Sequence, residues 1–324
     1  MKRTIILVVF LSLSLFVAVW GYQKLDTATK QATLHLEKSL LQARAKEILR
    51  QEDEQTKKVQ AVFFRKDVMS EINAQVFTAY GDIRLLIQGM STLSEEDKEG
   101  CLISSALATE VFKSTNVAGN HIKLEDEEYI IREVYHSANK ELIRLGLSEE
   151  DNFTQVRVQR HENELVGKTL QEFVVRYGLL GTPLQWVEFV GLVKGLLLIA
   201  LGSLMTIPWY FIRKVLPIKI KIPTKIGFLQ EINISSKIVL AMYIVIIAMI
   251  IGSQVKIPIE MMPAKISDFG YWAKCFDDTC KNIGNIFLLE KVGYEQGFLL
   301  GGIWSITSSL VVIITSSVIF INNR

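Results

Sequence analysis

Apolar runs lie at both ends of the chain, and one long polar stretch separates them. The first run covers residues 4–20, and three more follow at 189–212, 238–252 and 298–321. A membrane-crossing helix needs about 20 predominantly apolar residues. The pattern therefore predicts an all-α membrane protein with four transmembrane helices and a polar domain between the first two.

The first run fits two interpretations. Lys2 and Arg3 precede its apolar core, as in a cleaved signal peptide or an uncleaved signal anchor. Trp20 and Tyr22 close the run, where aromatic side chains collect at a membrane surface. We favour the anchor for this reason.

The same runs set the predicted domain boundaries. The third run has only 15 residues, so its span is expected to start near Ile232. The predicted parts are residues 1–21 (anchor and first span), 22–185 (extracytoplasmic helical domain), 186–212 (second span), 213–237 (basic cytoplasmic loop), 238–252 (third span), 253–297 (extracytoplasmic loop) and 298–321 (fourth span).

Apolar residues inside the polar stretch recur at helical spacing. Shorter stripes of this kind occur within residues 34–48, 102–111, 131–145 and 170–177. Together they predict a bundle of four or five helices. The clearest stripe consists of Val68, Ile72, Val76, Ala79, Ile83 and Leu86.

Two smaller patterns refine this prediction. The sequence Leu-Ser-Glu-Glu-Asp occurs at 93–97 and at 147–151, and a serine cap followed by acids predicts a helix start at each place. The acid run at 125–128 is read as another first helical turn. Val156 and Val158 alternate with polar residues, which indicates a short strand or an extended connector.

Positive charge predicts the orientation. Residues 213–237 carry six basic side chains and one acid, whereas residues 253–297 carry five basic and six acidic ones. Lysine and arginine in short loops stay on the cytoplasmic side. We expect both termini in the cytoplasm of a bacterial cell, with a multi-pass protein in its cytoplasmic membrane. The basic loop residues are Arg213, Lys214, Lys219, Lys221 and Lys225.

Composition excludes some classes of function. Residues 22–185 hold 21 basic and 26 acidic side chains, so this region lacks the positive surface of a nucleic-acid-binding protein. The four histidines are scattered singly, and the chain contains no phosphate-binding loop, nucleophile elbow or dinucleotide fingerprint. The sequence therefore predicts no cofactor, no metal and no catalytic residue.

Cysteine usage fits an oxidising compartment. Cys275 and Cys280 flank four residues in the second predicted extracytoplasmic loop, and we expect a short-loop disulfide between them. Free thiols are the alternative. Cys101 is expected to be a buried thiol on a helix.

The membrane runs carry packing and charge signals. Small residues at four-residue spacing allow close approach of a neighbouring helix, within the chain or in a second copy. Glu188 and Lys194 are charged residues near the second span, where a channel role or simple snorkelling would explain them. The small residues are Gly191 and Gly195 in the second run, and Gly297, Gly301, Ser305 and Ser309 along the fourth.

Residues 176–182, Arg-Tyr-Gly-Leu-Leu-Gly-Thr, resemble the opening of a pore helix in the proton-channel subunits that power flagellar motors and outer-membrane transport. Ile207-Pro208 resembles a later position in that family. The resemblance implies a proton-channel subunit. The chain departs from it in the short separation of the two pieces, the basic loop that follows and the predicted orientation.

These observations favour a non-enzymatic multi-pass membrane protein that senses or scaffolds through its extracytoplasmic domain. The expected partners are membrane lipids and other membrane or envelope proteins, including further copies of the chain. A subunit of a transporter or proton channel is the alternative. An enzyme that acts on envelope or lipid substrates is a third hypothesis.

Overall fold

The polar stretch forms β-strands as well as α-helices. The computed structural model describes residues 2–70, 72–87, 93, 97–124, 127–159, 165–215, 219–223, 229–233, 269–292 and 294–322. Its strands in this stretch are β1 (Gln31–Leu41), β2 (Ala61–Met69), β3 (Ala74–Gly81), β4 (Gly100–Ser104), β5 (His121–Leu124), β6 (Glu127–Tyr135), β7 (Glu141–Leu145), β8 (Asn152–Gln159) and β9 (Gly181–Leu184).

Helices occur before, between and after these strands. A short 3₁₀ helix, Thr27–Lys30, joins the first helix to β1. The α-helices of the described residues are α1 (Lys2–Asp26), α2 (Gln42–Asp53), α3 (Arg84–Ile87), α4 (Ser105–Phe112), α5 (Val166–Tyr177), α6 (Val187–Val215), α7 (Phe269–Leu288) and α8 (Glu295–Asn322).

The nine strands form one mixed sheet in the order β5-β6-β4-β7-β3-β2-β8-β1-β9. The pairs β3–β7 and β4–β6 are parallel, and the other neighbouring pairs are antiparallel. The predicted all-α fold with a helical-bundle domain is therefore wrong. The chain is a mixed α/β protein with a large sheet.

The chain divides into two compact units. The first, here called the sheet domain, comprises Lys24–Val190 and Asp278–Leu300. The second, the helix unit, comprises Met1–Gln23, Gly191–Asp277 and Gly301–Arg324. Each unit is described by itself below.

Two sets of elements cover the two faces of the sheet. On one face, α2 and α5 bury an apolar cluster that includes Phe63, Val156 and Phe173. On the other, α3 and the residue Val292 pack against Val62, Phe64 and their neighbours. A separate cluster around Cys101 and Leu107 lies between α4 and the strands near it. Cys101 is buried as predicted, but it lies on β4.

The predictions for α5 and β8 are confirmed. Helix α5 buries Leu170, Phe173 and Tyr177 on one face. It ends at Gly178, which adopts a left-handed conformation with φ of 64°. Only glycine adopts this conformation without steric cost, so the residue stops the helix cleanly.

The clearest predicted helix, at residues 68–86, is wrong. Residues 68–86 contain the end of β2, all of β3 and the start of α3. Strand β3 is buried on both faces, as Val76 and Phe77 are both in the core, so no alternation marks it as a strand. The hairpin before it turns at Asn73, which has a positive φ of 47°. Asparagine adopts this conformation more readily than most residues do, so Asn73 marks the turn in the sequence.

Other helical predictions fail in the same way. Residues 34–48 form the end of β1 and the start of α2, and 102–111 form β4 and then α4. Residues 131–145 contribute to β6 and β7. At 147–151 the chain makes a turn in which the Ser148 amide donates to the Asp151 carboxylate at 2.9 Å. Of the acid run, Glu127 and Glu128 begin β6 rather than a helix.

Two segments of the described chain are long and apolar enough to cross a membrane. They are Val187–Leu204 in α6 and Glu295–Val318 in α8. Both coincide with predicted spans, and they fit a membrane protein. Helix α1 contains the first predicted span, while the third predicted span, 238–252, lies outside the described residues.

The helix unit has its own packing. Leu11 of α1, Ala200 of α6 and Val312 of α8 form a small buried core. Close to it, the Ser305 hydroxyl donates to the carbonyl oxygen of Ala18 at 2.8 Å. A hydroxyl that bonds to a neighbouring helix stabilises close helix pairs in lipid.

Helices α1 and α8 are in close contact at Gly21, where there is no room for a side chain. A β-carbon at Gly21 would lie 2.4 Å from the carbonyl oxygen of Gly301, so the backbone would have to shift. We expect Gly21→Ala to lower the free energy of unfolding by about 1–3 kcal/mol through overpacking. Thermal unfolding of the full-length protein in mild detergent, followed by near-ultraviolet circular dichroism, measures this change.

The matched control is Gly202→Ala in α6. No atom lies within 4 Å of a β-carbon at Gly202, so this change should leave the midpoint of unfolding unaltered or slightly raised. Equal midpoints for the two variants would refute the close α1–α8 contact.

Candidate functional site

Polar side chains form a row on one face of the sheet, where the first half of β1 pairs with β8. In the antiparallel register, Thr33 lies opposite Arg157, and His35 lies opposite Gln155. Successive side chains of a strand point to opposite faces, so these residues share the face that α3 covers. We call Gln31, Thr33, His35, Gln155 and Arg157 the polar row.

Arg157 is the centre of this row. It is 1% exposed, although it carries a full positive charge. Its guanidinium lies over the rings of Phe64 and Tyr294, at 5.4 Å and 5.1 Å from their centroids. Four N–H groups donate hydrogen bonds: to the Thr33 hydroxyl at 3.1 Å, the Leu85 carbonyl at 3.1 Å, the Tyr294 hydroxyl at 3.2 Å and the Glu295 carboxylate at 2.7 Å.

Glu295 neutralises the charge of Arg157. This carboxylate is 3% exposed and belongs to the first turn of α8. Besides Arg157, it accepts hydrogen bonds from the Thr33 hydroxyl at 2.9 Å and from the Val292 amide at 2.9 Å. Burial acts to lower the pKa of Arg157, but the charges of Glu295 and Tyr294 and the hydrogen bonds to both together outweigh it and raise the pKa. Arg157 is therefore held in its charged form.

The residues between α7 and α8 complete the arrangement. We call residues 289–292 and 294 the connector. The Tyr294 hydroxyl lies 2.8 Å from the Leu85 carbonyl oxygen and also bonds to the Gln31 amide oxygen. At the surface, Lys66 of β2 forms an ion pair with Glu290 at 2.6 Å. The connector and the first turn of α8 are thus fastened to β1, β2 and β8.

Two atoms of the polar row have no protein partner. The imidazole Nε2 of His35 and the amide oxygen of Gln155 are buried and lack a hydrogen bond within the described residues. Burial lowers the pKa of His35, although Glu295 and Glu290 oppose the shift. The folded state thus favours neutral His35. Neutral His35 therefore favours folding at pH values above the ordinary histidine pKa. This contribution to the free energy of unfolding is lost as the pH falls through the lowered pKa of His35.

A second buried carboxylate ties α2 to α5. Glu52 is 2% exposed and accepts hydrogen bonds from Arg176, at 2.9 Å, and from the Tyr177 hydroxyl. Its Oε1 also accepts from the Val59 amide at 3.0 Å. Burial, followed by the bond to Glu52, raises the pKa of Tyr177 to about 12. The arrangement holds the ends of the two helices together.

A third carboxylate cluster surrounds Glu141 at the start of β7. The carboxylate accepts from the Tyr135 hydroxyl at 3.0 Å, from Ser137 at 3.1 Å and from Asn139 at 3.1 Å. Its partners are neutral, so burial raises the pKa of Glu141 above that of an ordinary carboxyl. The cluster joins the β6–β7 turn to the start of α4, where Ser104 accepts from the Leu107 amide.

The predicted disulfide is not present. Cys275 and Cys280 are free thiols on α7, the first half-buried and the second exposed. Residues five apart on an α-helix point in directions about 140° apart, whereas a disulfide needs β-carbons about 4 Å apart. The loop expected between them is helical, which separates the two sulfurs. Among the described residues, no group of three His, Cys, Asp or Glu side chains could hold a metal ion.

The predicted small residues lie in different settings. Gly301 and Ser305 face Gly21 of α1, as described above. Ser309 is fully buried, and its hydroxyl has no partner within the described residues. Added β-carbons at the other predicted glycines, Gly191, Gly195 and Gly297, would meet no atom within 4 Å.

The predicted charged residues near the second span both lie on α6. Glu188 belongs to the first turn of α6, and its carboxylate Oε1 accepts from Asn282 of α7 at 2.9 Å. Its Oε2 is buried and has no partner within the described residues. Lys194 is half-buried and lies in the part of α6 that belongs to the helix unit.

The basic loop forms regular structure where it is described. Arg213 and Lys214 lie in the last turn of α6. Lys219 and Lys221 lie on β10 (Lys219–Pro223), which pairs antiparallel with β11 (Leu229–Asn233). Lys225 lies outside the described residues. Residues 176–182, which resemble a pore-helix opening, form the end of α5, its glycine stop and the start of β9.

Sequence reasoning missed the polar row and Glu295. One signal was available, because Arg157 stands between two valines in the alternating segment that predicted a strand. A charged residue at the centre of a buried strand requires a partner. Nothing in the sequence near Arg157 identifies Glu295, which is 138 positions away.

Comparison with solved structures gives distant likenesses. No protein-family model matches the chain, and no curated protein matches it. The periplasmic region of MacB from Actinobacillus actinomycetemcomitans is 9% identical, with a TM-score of 0.39 over 49% of this chain and 90% of that one. The extracellular domain of the noncanonic ABC-type transporter YknZ from Gram-positive bacteria is 13% identical, with a TM-score of 0.34 over 48% of this chain and 97% of that one.

We expect Glu295→Gln to lower the free energy of unfolding by about 3–5 kcal/mol, because it leaves the charge of Arg157 buried without a counter-ion. The control, Asp53→Asn, removes an ion pair with Lys58 in which both side chains are exposed, at 76% and 58%, and should cost no more than about 1 kcal/mol. Denaturant unfolding of the full-length protein in detergent, followed by far-ultraviolet circular dichroism, measures both changes.

A double variant distinguishes the loss of the ion pair from a general effect of altering α8. Replacing both charges, in Arg157→Met with Glu295→Met, should recover part of the lost stability because no buried charge remains. Equal losses for Glu295→Gln and Asp53→Asn would refute the assigned role of the buried ion pair.

Proposed function

We propose that this chain is a non-enzymatic, membrane-anchored component of a multi-protein membrane complex, and that its sheet domain binds the partner. The observation that carries the proposal is the buried Arg157–Glu295 ion pair. It fixes the first turn of α8, a candidate membrane span, to β8 and β1, which lie near the edge strand β9 of the sheet. A domain held in this way suits a part that positions or senses a partner protein.

The buried groups favour a structural role over a catalytic one. Four of the five N–H donors of Arg157 bond to groups of the chain itself. Glu295 likewise uses both carboxylate oxygens on Thr33, Arg157 and Val292. Neither side chain is exposed to a substrate, so the arrangement supports fastening rather than acid–base or nucleophilic chemistry.

We place the sheet domain outside the cytoplasm of a bacterial cell. Basic residues follow the second predicted span at Arg213 and Lys214, and such residues are retained on the cytoplasmic side. This orientation puts both termini in the cytoplasm and makes the protein multi-pass. The predicted domain boundaries at residues 21, 185, 212, 237, 252 and 297 belong to the same proposal.

The stiff attachment gives the proposal its mechanism. A partner that displaces β1 or β8 displaces Glu295 with them, because the ion pair is too costly to break. The first turn of α8 then moves with the sheet. Such coupling suits either an assembly component or a subunit of a transport complex, in which a domain outside the membrane acts on a helix.

We assign the partner surface to the outer face of α5. The inner face packs on the sheet through Phe173, whereas Val175 is 74% exposed and nearby Leu180 is 69% exposed. A shallow groove of about 390 Å³ lies here, lined by Gln171, Glu172, Val175 and Arg176. Surfaces that bind proteins have an apolar centre and a polar rim, and we propose that Val175 and Leu180 supply this centre.

A photocrosslinking amino acid at Val175 tests the proposal in membranes of the native host. We expect a discrete adduct with another membrane or envelope protein, identified by mass spectrometry and confirmed by the reciprocal crosslink. The matched control is Val68, a valine that is also 74% exposed and lies on β2. It should give no such adduct.

The same positions test the orientation. Cysteines placed there should react with a membrane-impermeant maleimide in cells whose cytoplasmic membrane is intact. Labelling only after that membrane is broken would overturn the proposed location. Equal crosslinking at Val175 and Val68, or none at Val175, would refute α5 as the partner surface.

A further inference from the structure

Helix α7 presents a row of aromatic side chains to the exterior. Phe269, Phe276 and Phe287 are 82%, 72% and 52% exposed. Their spacings of seven and eleven residues place all three within about 20° of one direction around the helix, at 100° per residue. Cys280 is exposed and lies in the same direction. We call these four residues the aromatic stripe.

The opposite side of α7 holds the helix in the sheet domain. Ile286 is fully buried, and Asn282 donates to the Glu188 carboxylate at 2.9 Å. Asn285 lies 3.5 Å from the carbonyl oxygen of Pro183. These contacts fix the rotation of the helix about its own axis, and they leave Phe269, Phe276 and Cys280 exposed.

The end of α7 lies beside the starts of both candidate spans. The ring of Phe287 packs edge-on against Phe189, in the first turn of α6, with centroids 6.0 Å apart. Trp186, just before α6, contacts Phe189 and also Phe298 in the first turns of α8. Where two membrane helices begin, the lipid headgroups begin as well, and aromatic side chains are favoured at that level.

The charges of α7 exclude a membrane-crossing role and indicate the lipid surface instead. Lys274, Asp278 and Lys281 lie on the side away from the aromatic stripe, and Asp277 lies at the flank of the stripe, by helical spacing. A helix with aromatic residues on one face and charges on the other lies in the plane of the membrane surface. Two lysines and two aspartates cancel, so attraction to anionic lipid is not required.

We propose that α7 is an interfacial helix, with the aromatic stripe inserted at the boundary between the headgroups and acyl chains of the bilayer. The inference rests on the proposed membrane anchoring of α6 and α8. Its effect is to hold the sheet domain at a set height on the bilayer, through the contacts of α7 with Glu188 and Pro183.

Spin labels on the full-length protein in phosphatidylcholine nanodiscs test the inference. The background carries Cys101→Ala and Cys275→Ala, and the native Cys280 reports the aromatic stripe. A second protein carries Cys280→Ala and Asp278→Cys, which reports the opposite side of α7. We expect the label at 280 to collide more with oxygen than with a water-soluble nickel chelate. The label at 278 should show the reverse, and added phosphatidylglycerol should change neither.

A label at Ile314→Cys separates failure of this inference from failure of the proposed anchoring. Ile314 is 60% exposed within the candidate span of α8 and should be accessible to oxygen alone. If 314 favours oxygen while 280 favours the nickel chelate, the spans cross but α7 does not lie on the bilayer. Spin–spin broadening at 280 would overturn the inference by showing that a second copy of the chain covers the stripe. If 314 favours the chelate, the anchoring itself is refuted.

Discussion

A guanidinium group with no access to water must be neutralised and hydrogen-bonded where it lies, because the penalty for removing it from water amounts to several kcal/mol. In this chain the groups that meet this requirement for Arg157 come from separate segments: β1, α3, the connector and the first turn of α8. The ion pair with Glu295 can form only when all of them are in place. It therefore specifies how the first turn of α8 packs against β1 and β8.

The other contacts of the connector depend on this constraint. Tyr294 can stack on Arg157 and reach Leu85 only because Glu295 holds the adjoining turn against β1. Val292 enters the apolar cluster on the same face, and Trp186 meets Phe298 one turn further along α8. The proposed function follows from this geometry, since a sheet fastened to a candidate span can position a partner relative to the membrane. The proposed role of α7 adds a second point of support.

The sequence predicts a helix or strand correctly where one face of the element is apolar and the other face is polar. Helix α5 was predictable because Leu170, Phe173 and Tyr177 repeat at helical spacing before Gly178. Strand β8 was predictable from its alternating valines. Strand β3 was not, because burial on both faces removes the alternation, and its apolar positions then fit a helical stripe as well as a strand. The site could not be predicted either, since the partner of Arg157 depends on a pairing between distant segments.

The central claim is that Arg157 holds the first turn of α8 to the sheet. Hydrogen exchange of the full-length protein in nanodiscs, compared between wild type and Arg157→Met, tests it most directly. In the wild type, the amides of residues 295–300 should exchange as slowly as those of β1 and β8. In Arg157→Met, residues 295–300 and β1 should lose protection together, while α4 keeps its own. Unchanged protection of residues 295–300 in the variant would contradict the claim.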